Sequence, residues 1–295
     1  HITTELDFRI EAQNARAANR ALWMRLSDDS ACPVLQGWVT IPAPIPHLCS
    51  QRVMCTPFLP GLVRLDDATG LARIGVRSEQ MGEYVCRAFG ILSLVHGLVH
   101  GDPHAGNVYA TGGNGYARLV ILDHALYHRL TDADRLAFCE LILACARPFP
   151  SRTKVRRLAE RFAGPLWPLF PLLLSPLFAL ATPLNVDELR DAAAAQLPAR
   201  VSLDDVWQAL NAMHSSDSDL IGLLHHLGYV RGLCSMTGLS ERRRVKVLVR
   251  CAKIAVRAGP GADEWTAAAA GRGVATWIEL SIAALRVEIL VLLLR

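Results

Sequence analysis

Residues 96–127 read HGLVHGDPHAGNVYATGGNGYARLVILDHALY, and the fold and chemistry of the chain turn on this stretch. It sets Asp102 and Asn107 five residues apart in H-G-D-P-H-A-G-N. A Gly-rich turn then leads into an apolar strand, Leu119 to Leu122, that ends on Asp123. Phosphoryl transfer from a Mg²⁺-nucleotide calls for such a set. One carboxylate orients or deprotonates the attacking hydroxyl, and an amide five residues on ligates metal. A second carboxylate, delivered by a hairpin, holds Mg²⁺ on the phosphates. Mg²⁺ takes hard oxygen ligands and keeps several waters, so two protein oxygens from two loops suffice. The competing expectation is a surface loop that happens to be rich in Asp, His and Asn. Three oxygen-bearing residues at this spacing beside strand-like runs argue against it.

H-G-D-P-H-A-G-N followed by L-D-H-A-L-Y resembles the UbiB/AarF-domain atypical kinase-like family, whose members usually read HGDPHPGN and LDHG. Choline kinases and aminoglycoside phosphotransferases share an H-G-D-x-x-x-x-N. Their second motif usually has Trp, Phe or Tyr after the Asp, so Asp123-His124 points to the UbiB-like group. Two positions depart from the pattern: Ala105 stands where Pro is usual, and Ala125 where Gly is usual. Gly reaches backbone angles that Ala resists, so Ala125 bears on the mobility of the metal loop.

Upstream, residues 3–26 carry a helix signal, with Thr3 or Thr4 as cap, acidic residues in the first turn and Arg later. Leu6, Ile10, Ala17, Ala21 and Met24 recur at helical spacing and are expected to face a core. Its polar residues read by themselves as a solvated first turn. E-L-D-F-x-x-E-A-x-N also resembles the family's helix bearing its E-x-D motif. That resemblance implies that Glu5 and Asp7 belong to the motif, and that Glu11 matches the helix glutamate facing the ATP-site lysine in ordinary kinases.

Two short strands are expected at Trp38–Ile41 and Arg52–Thr56, joined by the rigid I-P-A-P-I-P segment. By the resemblance this region holds the last small-lobe strands and the adenine hinge, where Pro57 removes one donor; Pro60-Gly61 marks the lobe boundary. Val76 to His96 reads as one helix with Met81, Val85, Ala88, Phe89, Leu92 and Val95 on its apolar side. His96 and His100 read as structural hydrogen-bonding residues, since no metal-ligand helix such as H-E-x-x-H lies near.

The remainder reads as helical. Thr131–Cys145 opens on T-D-A-D. A basic segment, 152–161, precedes an apolar one, 165–184, that five prolines interrupt, so a buried or membrane-surface piece is expected there rather than a span. Residues 187–214 hold amphipathic patterns, and 219–258 hold two helices with Gly238 as a stop. In the second, Lys246, Arg250, Lys253 and Arg257 share one face and Val245, Leu248, Ala252 and Ala255 the other. The basic face suits either solvent or anionic lipid headgroups. The apolar tail carries Glu279, Arg286 and Glu288, which argues against a simple span.

Composition sets the outer limits. With 295 residues the chain can bury one or two cores. It is 52% hydrophobic and 20% charged, with mean hydropathy +0.25, which suggests contact with a membrane or another protein. A net charge of +4 with no base-reading motif speaks against nucleic acid. The eight Cys, at 32, 49, 55, 86, 139, 145, 234 and 251, form no C-x-x-C pair and read as reduced core residues. The chain opens on His1 rather than Met, which reads as a fragment. The resemblance would put an Ala-rich nucleotide loop, a strand lysine and a K-x-G-Q segment ahead of it.

The expected fold is therefore α+β and protein kinase-like. It comprises a partial N-lobe over 1–60, a mostly α-helical C-lobe over 61–262 and an apolar tail over 263–295. The resemblance implies an ATP-dependent phosphotransferase or ATPase that uses Mg²⁺ and ATP (or ADP). Asp102, Glu5, Asp7 and Glu11 would serve catalysis, and Asn107 and Asp123 would hold metal and nucleotide. It further implies a role in ubiquinone or membrane-lipid metabolism, membrane-associated, in mitochondria, plastids or bacteria. A catalytically silent scaffold and a small-molecule kinase of the choline or aminoglycoside type are the alternatives.

Overall fold

The structure, a computed structural model, describes residues 7–23, 37–113, 116–163, 167, 170–181 and 220–260. These form a mixed α+β architecture with a small sheet and many helices. The chain divides into two compact units, one of residues 1–130 with 222–247 and one of 131–221 with 248–295.

In the first unit, helix α1 (Phe8–Trp23) buries Ala12, Ala15, Ala18, Ala21 and Leu22. The expected face is corrected, because Ile10 and Ala17 are only half-buried; Leu6 and Met24 lie outside the described residues. A stripe of alanines lets the helix approach its neighbours closely, which outweighs the larger Ile10.

Strand β1 (Val39–Thr40) is shorter than the expected 38–41. The expected strand at Arg52–Thr56 is absent. Its backbone is instead taken up locally: Ser50 N donates to Val53 O at 2.7 Å and Ile45 N to Cys55 O at 2.9 Å. The next strand is β2 (Val63–Arg64), followed by helix α2 (Ala68–Arg73), which Asp67 caps through Gly70 N.

Helix α3 (Ser78–Gly90) stops short of His96 and passes into a buried π-type turn, Ile91–Val95. All six apolar residues expected on its face are buried. Ser93 Oγ donates to Phe89 O at 2.6 Å and so takes up a main-chain acceptor where the helix widens. Gly82 sits where α3 meets Thr237 and Leu239; a Cβ there would overlap Thr237 Oγ1 and lie 2.9 Å from Leu239 Cβ. Gly82→Ala is expected to cost about 1–3 kcal/mol by overpacking. The better helix propensity of Ala returns up to about 1 kcal/mol. Urea unfolding checks this, and a raised midpoint would refute the close packing.

Strands β3 (Leu98–His100), β4 (Val108–Gly113), β5 (Tyr116–Ile121) and β6 (Tyr127–Arg129) follow. The four-stranded sheet has the order β1-β5-β4-β2, with β1 parallel to β5 and the other pairs antiparallel. β3 and β6 form a separate antiparallel pair. Helix α7 (Leu220–Met236) ends at Gly238, whose φ of +77° suits the stop expected from the sequence.

In the second unit, helix α4 (Asp132–Cys145) is capped by Thr131, whose hydroxyl accepts from Asp134 N at 3.1 Å. Helix α5 (Arg152–Ala163) presents Phe162 to Phe138 edge-on and to Phe170 of helix α6 (Phe170–Leu174) in a stack. Arg161 pairs with Asp134 at 2.6 Å. Helix α8 (Glu241–Ala258) crosses from the first unit into the second and buries Val245, Leu248, Ala252 and Ala255, with Arg250 and Arg257 exposed.

No described helix is long and apolar enough to cross a membrane. The 187–214 pattern, the apolar tail and part of 165–184 fall outside the described residues. Among the described residues, Cys86, Cys139, Cys145, Cys234 and Cys251 are buried thiols outside any disulfide, whereas the thiols Cys49 and Cys55 are only half-buried, which corrects the core expectation for those two. Burial pushes the Cys139 and Cys145 thiols up to about 12, so they stay protonated and unreactive. Cys32 lies outside the described residues.

Candidate functional site

Two ladders build the site. In the β4–β5 hairpin Val108 faces Ile121, and Leu122 N donates to Asn107 O at 3.0 Å, so the ladder runs on to place Asn107 opposite Leu122. Asp123 follows one residue later. In the β3–β6 pair His100 faces Tyr127, and Gly101 N donates to Leu126 O at 2.8 Å. The segments 101–107 and 122–126 are thus pinned to each other at both ends. A one-residue slip of either ladder would send the side chains to the opposite face.

Within that frame the two loops share hydrogen bonds. Asn107 Nδ2 donates to Asp123 Oδ2 at 3.1 Å and to Asp102 O at 3.3 Å. His100 Nδ1 accepts from Asp102 N at 3.2 Å, and its Nε2 donates to Asp123 O at 2.9 Å. These two bonds require one neutral tautomer, with the proton on Nε2. Burial, helped by His124, pushes His100 down to about 3, so the ring stays neutral. The structural role expected of His100 agrees with this geometry. Asp102 is about half exposed, with His104 Nε2 3.8 Å from its Oδ2.

The residue after Asp123 is gripped by α1. His124 N donates to Glu11 Oε1 at 3.3 Å, and Asn14 Nδ2 donates to His124 O at 3.0 Å. Glu11 and Asn14 are three apart on one helix face, so a single helix binds both polar groups of one peptide residue. The His124 ring is held by Tyr127 Oη at 3.1 Å and Ile121 O at 3.3 Å, and burial pushes it down to about 4. Asp123 Oδ1 accepts from Ala125 N at 2.8 Å, a local turn that orients the carboxylate.

Burial first, and the charge of Asp123 in addition, push the Glu11 carboxyl up, against the pull of the His124 N–H. A buried carboxyl whose ionisation a neighbouring carboxylate makes costlier marks a place where a cation is welcome. The oxygens available are those of Asp123 and Glu11 and the amide oxygen of Asn107, whose Nδ2 is already engaged as donor. This all-oxygen set suits a hard cation such as Mg²⁺ rather than a soft one. No group of three or more His, Cys, Asp or Glu among the described residues is arranged to hold a metal ion.

Of the sequence-derived candidates, Asp102, Asn107, Asp123 and Glu11 come together. Asp7 goes elsewhere: its carboxylate pairs with Arg9 at 2.6 Å, and the guanidinium holds it below the usual carboxylate range. Glu5 lies outside the described residues. Asn14 closes the E-L-D-F-x-x-E-A-x-N motif, and its i,i+3 spacing from Glu11 is the signal the sequence carries for its role. His226 of α7, whose Nδ1 lies 3.0 Å from His100 O, had no signal in the sequence.

A model of the ABC1 atypical kinase-like domain matches residues 1–152. Among curated proteins, the chain is 27% identical over 213 residues to AarF domain-containing protein kinase 1 of Gallus gallus, covering 67% of this chain and 38% of that one. It is 30% identical over 141 residues to the probable serine/threonine-protein kinase abkB of Dictyostelium discoideum, covering 48% and 19%. With AarF domain-containing protein kinase 1 of Xenopus laevis it shares 28% over 178 residues, covering 59% and 32%. The chain therefore spans 38% or less of the length of these relatives.

Proposed function

The chain belongs to the ABC1 atypical kinase-like family, and from that premise we propose that its described residues form the metal-and-base side of a Mg²⁺-nucleotide site. Asp123 and Asn107 hold the metal, Asp102 stands at the position of the nucleophile, and Glu11 with Asn14 sets the metal loop. A bound Mg²⁺-ATP (or ADP) would supply the transferable phosphoryl group, with the metal neutralising the phosphates and the acidic residues holding the metal. Asp102, half exposed at the edge of the loop, is free to orient or accept the proton of an attacking hydroxyl or water. Asp7 and Glu5 are assigned to the same machinery through the E-x-D motif alone. The division into a partial N-lobe over 1–60, a C-lobe over 61–262 and a tail over 263–295 belongs to the same proposal.

The observation that carries the assignment is the Asn107 amide joined to both the Asp123 carboxylate and the Asp102 carbonyl. It supports an ATP-dependent phosphotransferase or ATPase; a place in ubiquinone or membrane-lipid metabolism at an organelle or bacterial membrane rests on the family resemblance alone. A catalytically silent scaffold has one observation in its favour, since Ala125 N already occupies Asp123 Oδ1.

Thermal unfolding of the full-length protein with ATP or ADP, with Mg²⁺ and with EDTA, tests the site. A ligand at about 100 times its Kd stabilises the folded state by about 2.7 kcal/mol, so a Mg²⁺-dependent rise in Tm is expected. No rise with either nucleotide overturns the site. A rise without phosphate release establishes the scaffold, and release accelerated by an aminoalcohol or aminoglycoside establishes the small-molecule kinase.

A further inference from the structure

Helix α7 carries a buried histidine that no motif assigns. His226 is 1% exposed, and its Nδ1 lies 3.0 Å from the carbonyl oxygen of His100, two residues before Asp102. A carbonyl oxygen only accepts, so that contact needs the proton on Nδ1. The main chain of Phe89 offers a second acceptor, which competes with the His100 carbonyl for the ring's proton, and the ring stands edge-on to the Phe89 ring at 5.6 Å. Burial pushes His226 down to about 3, so the ring is neutral and has one N–H to give.

One helical turn earlier on the same face, Gly222 backs onto β6. A Cβ there would lie 2.5 Å from His128 Cδ2 and 2.8 Å from its Cγ. The missing side chain lets α7 rest on β6 while His226 reaches β3. Those two strands are the ladder that pins segment 101–107 to segment 122–126. His100 in turn spans Asp102 N and Asp123 O with its own two nitrogens. The chain of bonds therefore runs from α7 through His226 to His100, and from His100 to both loops.

We propose that His226 is a positioning residue for the metal-and-nucleotide site, giving its Nδ1 proton to the His100 carbonyl and thereby setting the approach of the Asp102 loop to the Asp123 loop. This rests on the site assignment above. His226 bonds to the His100 main chain rather than to Asp102, Asn107 or Asp123. It acts by removing freedom from the strand that bears the loop, as groups that orient metal ligands do.

The test uses the full-length protein, with the affinity of ADP and ATP measured by calorimetry with Mg²⁺ and with EDTA. His226→Leu removes the donor, His226→Gln places an amide at the position of Nε2, and His226→Asn places one near Nδ1. Leu and Gln are expected to weaken Mg²⁺-dependent affinity by about 10–100-fold, the range for partners that orient ligands. Asn is expected to restore most of it, even where all three lower Tm alike. A role in stability alone would instead make affinity follow Tm, with no rescue by Asn.

Long-range ¹H–¹⁵N spectra of the wild-type histidine rings supply a second readout, with the His226 proton expected on Nδ1. A proton on Nε2, given to Phe89, overturns the proposal. So does wild-type binding that all three variants reproduce. A wild-type protein that binds no Mg²⁺-nucleotide overturns the site assignment, and this proposal with it.

Discussion

Asp123→Asn is expected to abolish most Mg²⁺-dependent nucleotide binding, whereas Asp102→Asn leaves binding nearly intact and removes turnover. The two carboxylates stand in the same small frame but have different surroundings. Asp123 Oδ2 receives the Asn107 amide, Oδ1 the Ala125 N–H, and its charge is felt by Glu11. Loss of that charge leaves the metal poorly held and, through it, the phosphates poorly neutralised, so the ground-state complex weakens. The affinity loss should be at least about 10–100-fold, the range already seen for residues that only orient ligands. Asp102 makes its contacts mainly through its backbone, and its side chain faces His104 and solvent. A group that acts on the nucleophile contributes in the transition state, so its loss lowers kcat with little change in affinity. Asn107→Ala should fall between, losing one oxygen and the amide that ties the two loops. Calorimetry with and without Mg²⁺, beside phosphate release, separates the three. Equal affinity in all of them would mean that these residues do not hold metal and nucleotide.

Gly101→Ala is expected to spread the two loops. Gly101 N is bonded to Leu126 O at 2.8 Å, and an added Cβ would overlap Leu126 Cγ and approach His128 Nε2 to 3.1 Å. Leu126 lies in the metal loop three residues after Asp123, so relief of the overlap moves that loop rather than a free surface side chain. Overpacking of this kind costs about 1–3 kcal/mol in stability. The Mg²⁺-dependent affinity should fall with it, by about tenfold or more, since the same displacement parts Asp102 from Asp123. Leu126→Ala in the Gly101→Ala background removes the overlapping atoms and should recover affinity. A double-mutant cycle measures that coupling, and strictly additive effects would show that the overlap does not act on the site.

The hairpin and its two ends were legible because they are local. An apolar run at Leu119–Leu122 after a Gly-rich turn marked one strand, which the structure extends to Tyr116–Ile121, and its antiparallel register with Val108–Gly113 then forces Asn107 and Asp123 together. The face of α3 was legible for the same reason, since 3.6-residue periodicity needs no partner to be seen. The strand expected at Arg52–Thr56 failed because a short β-branched run forms a strand only if an edge is offered to it. Here Ser50–Val53 and Ile45–Cys55 bonds satisfy the backbone within the loop, and β4 pairs with Val63–Arg64 instead.

Glu11 and Asp7 show where chain-local reading ends. Both were drawn into the candidate site by one motif, yet Asp7 is captured by Arg9 two residues away, and Glu11 reaches a peptide group 113 positions downstream. The first outcome follows from short-range electrostatics between neighbours. The second depends on how α1 docks, which an alanine stripe permits but does not specify. His226 is the extreme case, 126 positions from the carbonyl it faces and with no periodic or charge signal around it. Residue chemistry and local periodicity named the candidate side chains and the hairpin that pairs two of them. Which distant polar groups meet depends on how the helices dock. Burying an amide, a carbonyl or an imidazole requires a hydrogen-bond partner, and the packing of whole helices settles which partner comes within reach.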